Sequence, residues 1–424
     1  MSQTSERPPV EASDPAADPN ASSPLRAVAL FVGMAALVVL SIVKGAFPAM
    51  AFVLALIGSI MLHEAGHYFT AKRSGMKVTE FFFGFGPRLW SFRRGETEYG
   101  VKAIPAGGYV KIIGMSNLEK GIDPADEPRT YRQQSYPRRL TVAIAGIVTH
   151  FVIAFLILML MWTVVGVPRG DQPTLAVGSI SRLASGPSPA QEAGFEVGDR
   201  IVSVDGRVLG QWSELPPLIR ANPGRPLTFV VERDGRQLTL TATPASTNPA
   251  GEDVGFLGVG SQVAIEKVGP VAAAGKSVAD LGRLTTGSVQ ALGMFFSPSS
   301  LGDYGNQLIG GGSSANEDAR PVSVVGVVRI ADQAAKSGLF EFLAILVMIN
   351  IFVAIFNMVP LLPLDGGHIA IATYERVRSR KGRRHYADVQ KMLPLTAAVV
   401  VLLVTLGLTS LWLDIVNPIT NPFQ

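Results

Sequence analysis

Apolar residues gather into five long runs, at about 25–43, 47–69, 140–167, 339–362 and 392–413, and charged residues, Gly and Pro return between them. Crossing the hydrocarbon core of a bilayer takes roughly 20 apolar residues in a helix, and each run meets or approaches that length. The pattern predicts a multi-span α-helical membrane protein with about five transmembrane helices. The first run has only Arg26 as a positive flank and no small-x-small cleavage site after it, which predicts a retained helix rather than a removed leader. Residues 1–24, rich in Pro, Ser, Ala, Asp and Glu, predict a disordered tail.

Between the runs the pattern changes. Residues 81–92 and 98–113 mix aromatic and apolar positions with Gly and Pro, which predicts short β-hairpins. Phe81, Phe82, Phe83, Leu89 and Trp90 are unusually apolar for a loop, so these hairpins are expected to associate with the membrane. Residues 175–245 carry short strand-like runs around Asp205-Gly206 and Asp234-Gly235, the pattern of a small α+β domain. Residues 271–296 place Lys276, Asp280 and Arg283 at helical spacing among small apolar residues, predicting an amphipathic helix. The Gly-, Ser- and Asn-rich stretch 302–320 reads as a flexible connector.

The 424 residues include no cysteine, which excludes disulfides, thiolate metal sites and cysteine nucleophiles. The net charge of +4 does not signal nucleic acid, because the cations cluster beside the apolar runs. Lys72, Arg73, Lys77, Arg88, Arg93 and Arg94 follow the second run, and Arg376, Arg378, Arg380, Lys381, Arg383 and Arg384 precede the fifth. With both basic loops inside, the N-terminus is cytoplasmic and the region 169–337 lies outside. His63, Glu64 and His67 then fall in the cytoplasmic third of the second span, and Asp365 at the cytoplasmic end of the fourth.

His63-Glu64-Ala65-Gly66-His67 is an H-E-x-x-H motif. On a helix the two imidazoles stand one turn apart on one face and can grip a zinc ion. Glu64 beside them is placed to take a proton from an attacking water and pass it to a leaving amine. Ionisable groups within an apolar helix cost on the order of 2.5–3.5 kcal/mol each, so they call for a purpose; a proton relay or a hydrogen-bonded cluster is the alternative. A catalytic zinc takes three protein ligands, and nothing shortly after His67 supplies the third. Glu80 lies in a stretch that reads as strand. The candidate is Asp365, where Pro360, Pro363 and the pair Gly366-Gly367 break the fourth run. Irregular backbone at that depth is tolerated where it lines a cavity. A helix-end carboxylate facing water is the other reading of Asp365.

His63–His67 on one span, with Asn357 and Asp365 eight residues apart on a later one, resembles the site-2 protease family of intramembrane metalloproteases. The likeness continues through Phe83-Gly84-Phe85-Gly86-Pro87 and Ile104-Pro105-Ala106-Gly107-Gly108-Tyr109-Val110. It implies that His63, His67 and Asp365 hold Zn2+, that Glu64 is the catalytic base, and that Asn357 holds substrate main chain or the oxyanion. Where the family commonly carries Asn, this chain has His150, for which three readings stand: a hydrogen-bond donor near the site, a spare metal ligand, or a polar residue paired with a neighbouring helix. His368 and His385 are expected on the solvated surface. A protease must unwind a transmembrane helix to reach its peptide bonds, and an open sheet edge would compensate the broken hydrogen bonds. Gly107, Gly108 and Tyr109, on the segment running to Ile112, are the expected substrate-pairing edge.

The run from Pro189 to Gly206 resembles a PDZ domain, a module that binds extended peptides or chain ends. The implied organisation is a cytoplasmic tail at 1–24, an extra N-terminal transmembrane helix at 25–45, a first core segment at 46–168, an extracytoplasmic PDZ domain at 172–246, a linker with an amphipathic helix at 247–337, and a second core segment at 338–415. The implied activity is regulated intramembrane proteolysis in a bacterial inner membrane, with the active site near the cytoplasmic side. The expected partners are the lipid bilayer, a single-span substrate such as an anti-sigma factor, and a PDZ-bound peptide or chain end.

Overall fold

The computed structural model describes residues 24–115, 119, 121–181, 186–248, 252–308, 321–379 and 385–417. The tail expected at 1–24, apart from Pro24, and the connector beyond Leu308 lie outside the described residues. The chain divides into two compact units. One takes the chain up to Met159 and again from Ala274, and the other is Leu160–Ala273.

The first unit is mainly helical. Its long helices are α1 (Pro24–Val43), α2 (Phe47–Arg73), α3 (Tyr136–Leu160), and, after the other unit, α9 (Leu339–Asn357), α10 (Asp365–Arg378) and α11 (Leu393–Val416). Among the described residues, five helical stretches are long and apolar enough to cross a membrane: α1, α2, Tyr136–Val165, α9 and Val389–Val416. Pro48 sits in the first turn of α2, where its missing N–H has no helical partner to lose, and Lys72 and Arg73 lie in the last turn against the negative end of the helix dipole.

Two strands, β1 (Val78–Arg94) and β2 (Thr97–Ile112), form one antiparallel pair rather than the separate short hairpins expected. Each strand folds over on itself near Phe85 and Ile104. Glu80–Phe83 therefore pairs with Glu98–Val101 on one side and with Gly108–Lys111 on the other. Trp90–Arg94 closes the ribbon against Thr97–Val101. Gly108–Ile112 is left as an outer edge. Ala71, Met76, Val78, Ile112, Tyr131 and Val142 bury together, which fixes this sheet to the C-terminal end of α2 and the start of α3.

The second unit is a six-stranded sheet in the order β7-β6-β4-β3-β8, with β5 pairing β4. Its strands are β3 (Val167–Ile180), β4 (Arg200–Val204), β5 (Arg207–Val208), β6 (Leu227–Arg233), β7 (Arg236–Ala242) and β8 (Val259–Glu266). Short helices α4 (Pro189–Glu192) and α5 (Leu215–Arg220) pack on it, and Val177, Phe195, Ile201, Leu215, Phe229 and Leu257 form the core. The domain boundary expected at 246 stops short: β8 pairs with β3 and completes the sheet. Strand pairing thirteen or more residues downstream leaves no local signal, which is why the sequence pattern missed it.

Three further helices follow: α6 (Pro270–Phe295), α7 (Pro298–Leu308) and α8 (Val324–Ser337). The stretch 271–296, expected as an amphipathic helix, is helical in α6 up to Phe295. Gly302–Leu308, expected as flexible connector, is helical in α7. α8 was not foreseen; Ser323 caps it, accepting from the Gly326 N–H, and the Asp414 carboxylate of α11 accepts from the Ser323 N–H at 2.7 Å.

Candidate metal centre and active site

α2 is apolar around nearly its whole circumference, and its two histidines are nevertheless buried, at 8% and 4% exposure. The four-residue spacing puts their rings on one face, with Nε2 of His63 3.2 Å from Nε2 of His67. Nδ1 of His67 donates to the Val142 carbonyl of α3 at 2.7 Å, which leaves the lone pair on Nε2. Asp365 is brought in from the other end of the chain. α9 stops at Asn357, irregular backbone spans 358–364, and α10 opens on Asp365 itself. Gly366 and Gly367 make that junction possible, since a Cβ at Gly366 would lie 2.2 Å from the Val359 carbonyl oxygen and one at Gly367 2.7 Å from the Leu362 nitrogen.

Oδ2 of Asp365 lies 3.4 Å from His63 Nε2 and 3.3 Å from His67 Nε2. Three electron-rich atoms thus stand in a near-equilateral triangle, and Oδ2 is buried without a hydrogen-bond partner. Mutual repulsion of lone pairs would drive such a group apart, whereas a shared cation would hold it together. Ligands about 2.0–2.1 Å from a tetrahedral zinc ion stand roughly 3.3 Å from one another, so the triangle fits that ion. Among the described residues, these three are the group of His and carboxylate side chains placed to hold a metal.

The other expected residues divide. Glu64 lies beside the outer edge of β2: the Val110 amide points at its carboxyl, and a Cβ on Gly108 would lie 3.3 Å from Glu64 Cγ and 2.8 Å from Met61 Sδ. Gly107 takes a positive φ of 138° at the turn into this edge. The Tyr109 side chain faces away, stacked between Phe82 and Phe85 at 5.9 and 5.8 Å, with its hydroxyl donating to Glu80 and accepting from Lys102. Only its backbone remains to meet a ligand at the edge. Asn357 closes α9, half-buried, and makes no hydrogen bond to the three donor atoms among the described residues.

His150 is 2% exposed and its ring centre is 5.0 Å from that of His63. Its Nδ1 donates to Oδ1 of Asn350 at 2.9 Å. The Asn350 amide is oriented by donating to the Leu346 carbonyl. His368, expected on the solvated surface, is a correction: it lies on α10, half-buried, with its ring edge on Tyr131 at 6.4 Å. Arg376 and Arg378, from the basic run that suggested a loop there, lie in the last turn of that helix. His385 is likewise half-buried, against Tyr374 at 5.6 Å. Asn350, Val142 and Gly146 went unnoticed in the sequence. An Asn within an apolar run was the available signal for the first; carbonyl orientation and close backbone approach leave none.

The sequence matches the description "Peptidase family M50" over residues 51–404. The chain belongs to peptidase family M50. It is 37% identical over 402 residues to zinc metalloprotease Rip1 of Mycobacterium tuberculosis, covering 87% of this chain and 97% of that protein. A Rip1 of Mycolicibacterium smegmatis is 35% identical with the same coverage, and a putative zinc metalloprotease of Brucella suis is 30% identical over 371 residues, 83% of this chain and 90% of its own. With the family, these relatives and the donor triangle together, this M50 peptidase is a zinc metalloprotease. Among solved structures, the PDZ domain of an SdrC-like protein from Listeria monocytogenes covers 22% of this chain and 92% of its own at 16% identity, with a TM-score of 0.18, too little to decide a fold.

Proposed function

We propose that this M50 peptidase is an intramembrane endopeptidase of a bacterial inner membrane, cutting single-span membrane proteins of the anti-sigma factor class near the cytoplasmic face. The observation that carries the reading is the meeting of His63, His67 and Asp365, contributed by helices about 300 residues apart, beside a sheet edge that also touches Glu64. His63 and His67 hold zinc through Nε2 and Asp365 through Oδ2. Zinc at such a site supplies a Lewis acid that brings the pKa of water down to about 7. Glu64 accepts the proton of the attacking water and delivers it to the departing amine. The outer edge at Gly107, Gly108 and Tyr109 pairs with the unwound substrate through main-chain hydrogen bonds. Gly108 keeps that edge low enough for a peptide to approach Glu64. Asn357 steadies the substrate carbonyl. His150, held by Asn350, braces the His63 ring and sets its orientation.

The unit Leu160–Ala273 lies outside the membrane in this reading and acts as a PDZ module, admitting substrates whose external part has been trimmed to a chain end. Purified full-length protein should contain about one zinc per chain and cleave a model transmembrane segment. Glu64→Gln should keep the zinc and lose about 10²–10⁴ of the rate; cleavage at the wild-type rate would overturn the assignment of the base.

A further inference from the structure

Asp365 reaches the histidines only because α10 starts where it does, and the contacts that fix α10 lie well away from the metal. Glu375, ten residues on from Asp365, is about 15 Å along the helix at 1.5 Å per residue. Its Oε2 accepts from Nη1 of Arg139 at 2.6 Å, with the two side chains only 4% and 10% exposed. Oε1 of Glu375 accepts from the Ala387 amide at 2.7 Å. The Arg139 guanidinium stacks over the Tyr131 ring at 5.0 Å, and the Tyr131 hydroxyl donates to the Arg139 carbonyl. Tyr131 in turn meets His368, one turn after Asp365. Thr373 and Tyr136 add a hydroxyl contact at 3.3 Å.

The Arg139 and Tyr136 contacts tie α10 to the first turns of α3, Tyr131 joins them from the turn just before α3, and Ala387 holds Glu375 from the segment after α10. One turn beyond Arg139, the same helix presents the Val142 carbonyl that orients His67. The start of α3 therefore sets both sides of the donor triangle: His67 through Val142, and Asp365 through Arg139 and Glu375.

We propose that the buried Arg139–Glu375 ion pair is a positioning device that sets Asp365 against His63 and His67, so that metal affinity depends on a bridge remote from the metal. The proposal rests on Asp365 being the third ligand. Backbone between Asn357 and Asp365 is irregular and cannot by itself fix where the carboxylate falls, whereas a buried charge pair that must stay matched has one favourable arrangement. Removing one partner leaves the other charge buried and unpaired, which drives the two helices apart. Removing both charges lets them close again.

The test uses the full-length protein in detergent, with metal affinity measured by competition against a chromophoric chelator and with cobalt(II) as a spectroscopic probe of the ligand set. Glu375→Gln and Arg139→Gln should each weaken zinc binding about tenfold or more, and should move the cobalt spectrum toward that of Asp365→Ala. The double variant Arg139→Gln/Glu375→Gln should recover much of the loss, and Arg139→Lys, which keeps the charge but not the stack on Tyr131, should bind zinc more tightly than Arg139→Gln. Folded variants with wild-type zinc affinity and an unchanged cobalt spectrum would overturn the proposal and leave the pair a purely structural contact. Failure of the underlying ligand assignment reads differently, since Asp365→Ala would then keep wild-type affinity and spectrum.

Discussion

Gly146 of α3 stands directly against His67: a Cβ built on Gly146 would lie 2.5 Å from His67 Nε2 and 2.4 Å from His63 Cε1. The α3 backbone forms one wall of the donor triangle, and no side chain fits there. Both contacts are to ring atoms of buried imidazoles, one of them held by the Val142 carbonyl, so neither ring can step aside cheaply.

Gly146→Ala is therefore expected to displace at least one imidazole. Zinc content after dialysis against a weak chelator should fall, with affinity down about 10–100-fold as for lost ligand support. Overpacking should also cost about 1–3 kcal/mol of stability. Full zinc occupancy with unchanged affinity would contradict the close approach.

Asp365→Asn keeps the shape of the third donor and removes its charge. The variant is expected to bind zinc at least tenfold more weakly and to lose activity, while the helical content seen by circular dichroism stays at the wild-type level.

The outer edge of β2 offers a separate test. Gly108→Val places a side chain against Met61 and Glu64, so cleavage of a model transmembrane segment should fall about tenfold or more. Zinc content should remain at one per chain, because none of the three donors touches Gly108. A parallel loss of zinc would show that the substitution disturbs α2 instead.

The Leu160–Ala273 unit carries a pH signature of its own. Asp199 is 1% exposed; burial alone would raise its carboxyl, but the Arg233 fork, at 2.7 and 2.8 Å, outweighs burial and holds it below the usual 3.8. A depressed carboxyl stabilises the fold above the unfolded value and loses that contribution as pH falls below 3.8 toward the native value. Asp199→Asn should cost about 2 kcal/mol near neutral pH through weakened charge-assisted bonds. The gap to wild type, followed by thermal melting of this unit, should narrow as the pH drops below that point. A gap independent of pH would exclude the linkage.

Much of this arrangement was legible early for identifiable reasons. A helix long and apolar enough to cross a membrane carries few ionisable groups, so the two histidines and Glu64 stand out against α2. The proline and glycine breaks after Asn357 marked where helix had to stop and Asp365 had to turn. Other features depended on partners distant in sequence. Asn350 meets His150 across 200 positions, and Arg139 meets Glu375 across 236; no local period encodes either pairing. Helix α10 resembles a loop locally, because its last turn is basic and its first is Gly-rich, yet both serve a packed helix. The fold-back of β1 and β2 escaped for the same reason, since each strand looks locally like half of a short hairpin.

By itself the sequence determined the apolar runs and the histidine pair with its neighbouring carboxylate, because hydrophobic length and one-turn spacing are local properties of the chain; it offered Asp365 only as a candidate to join them. Tertiary structure alone decided that the three donor atoms face one another at 3.2–3.4 Å, which sheet edge lies beside Glu64, and what anchors α10. Those outcomes follow from which surfaces of distant helices pack together, and packing is settled by shape and matched polar groups across contacts that no stretch of sequence contains.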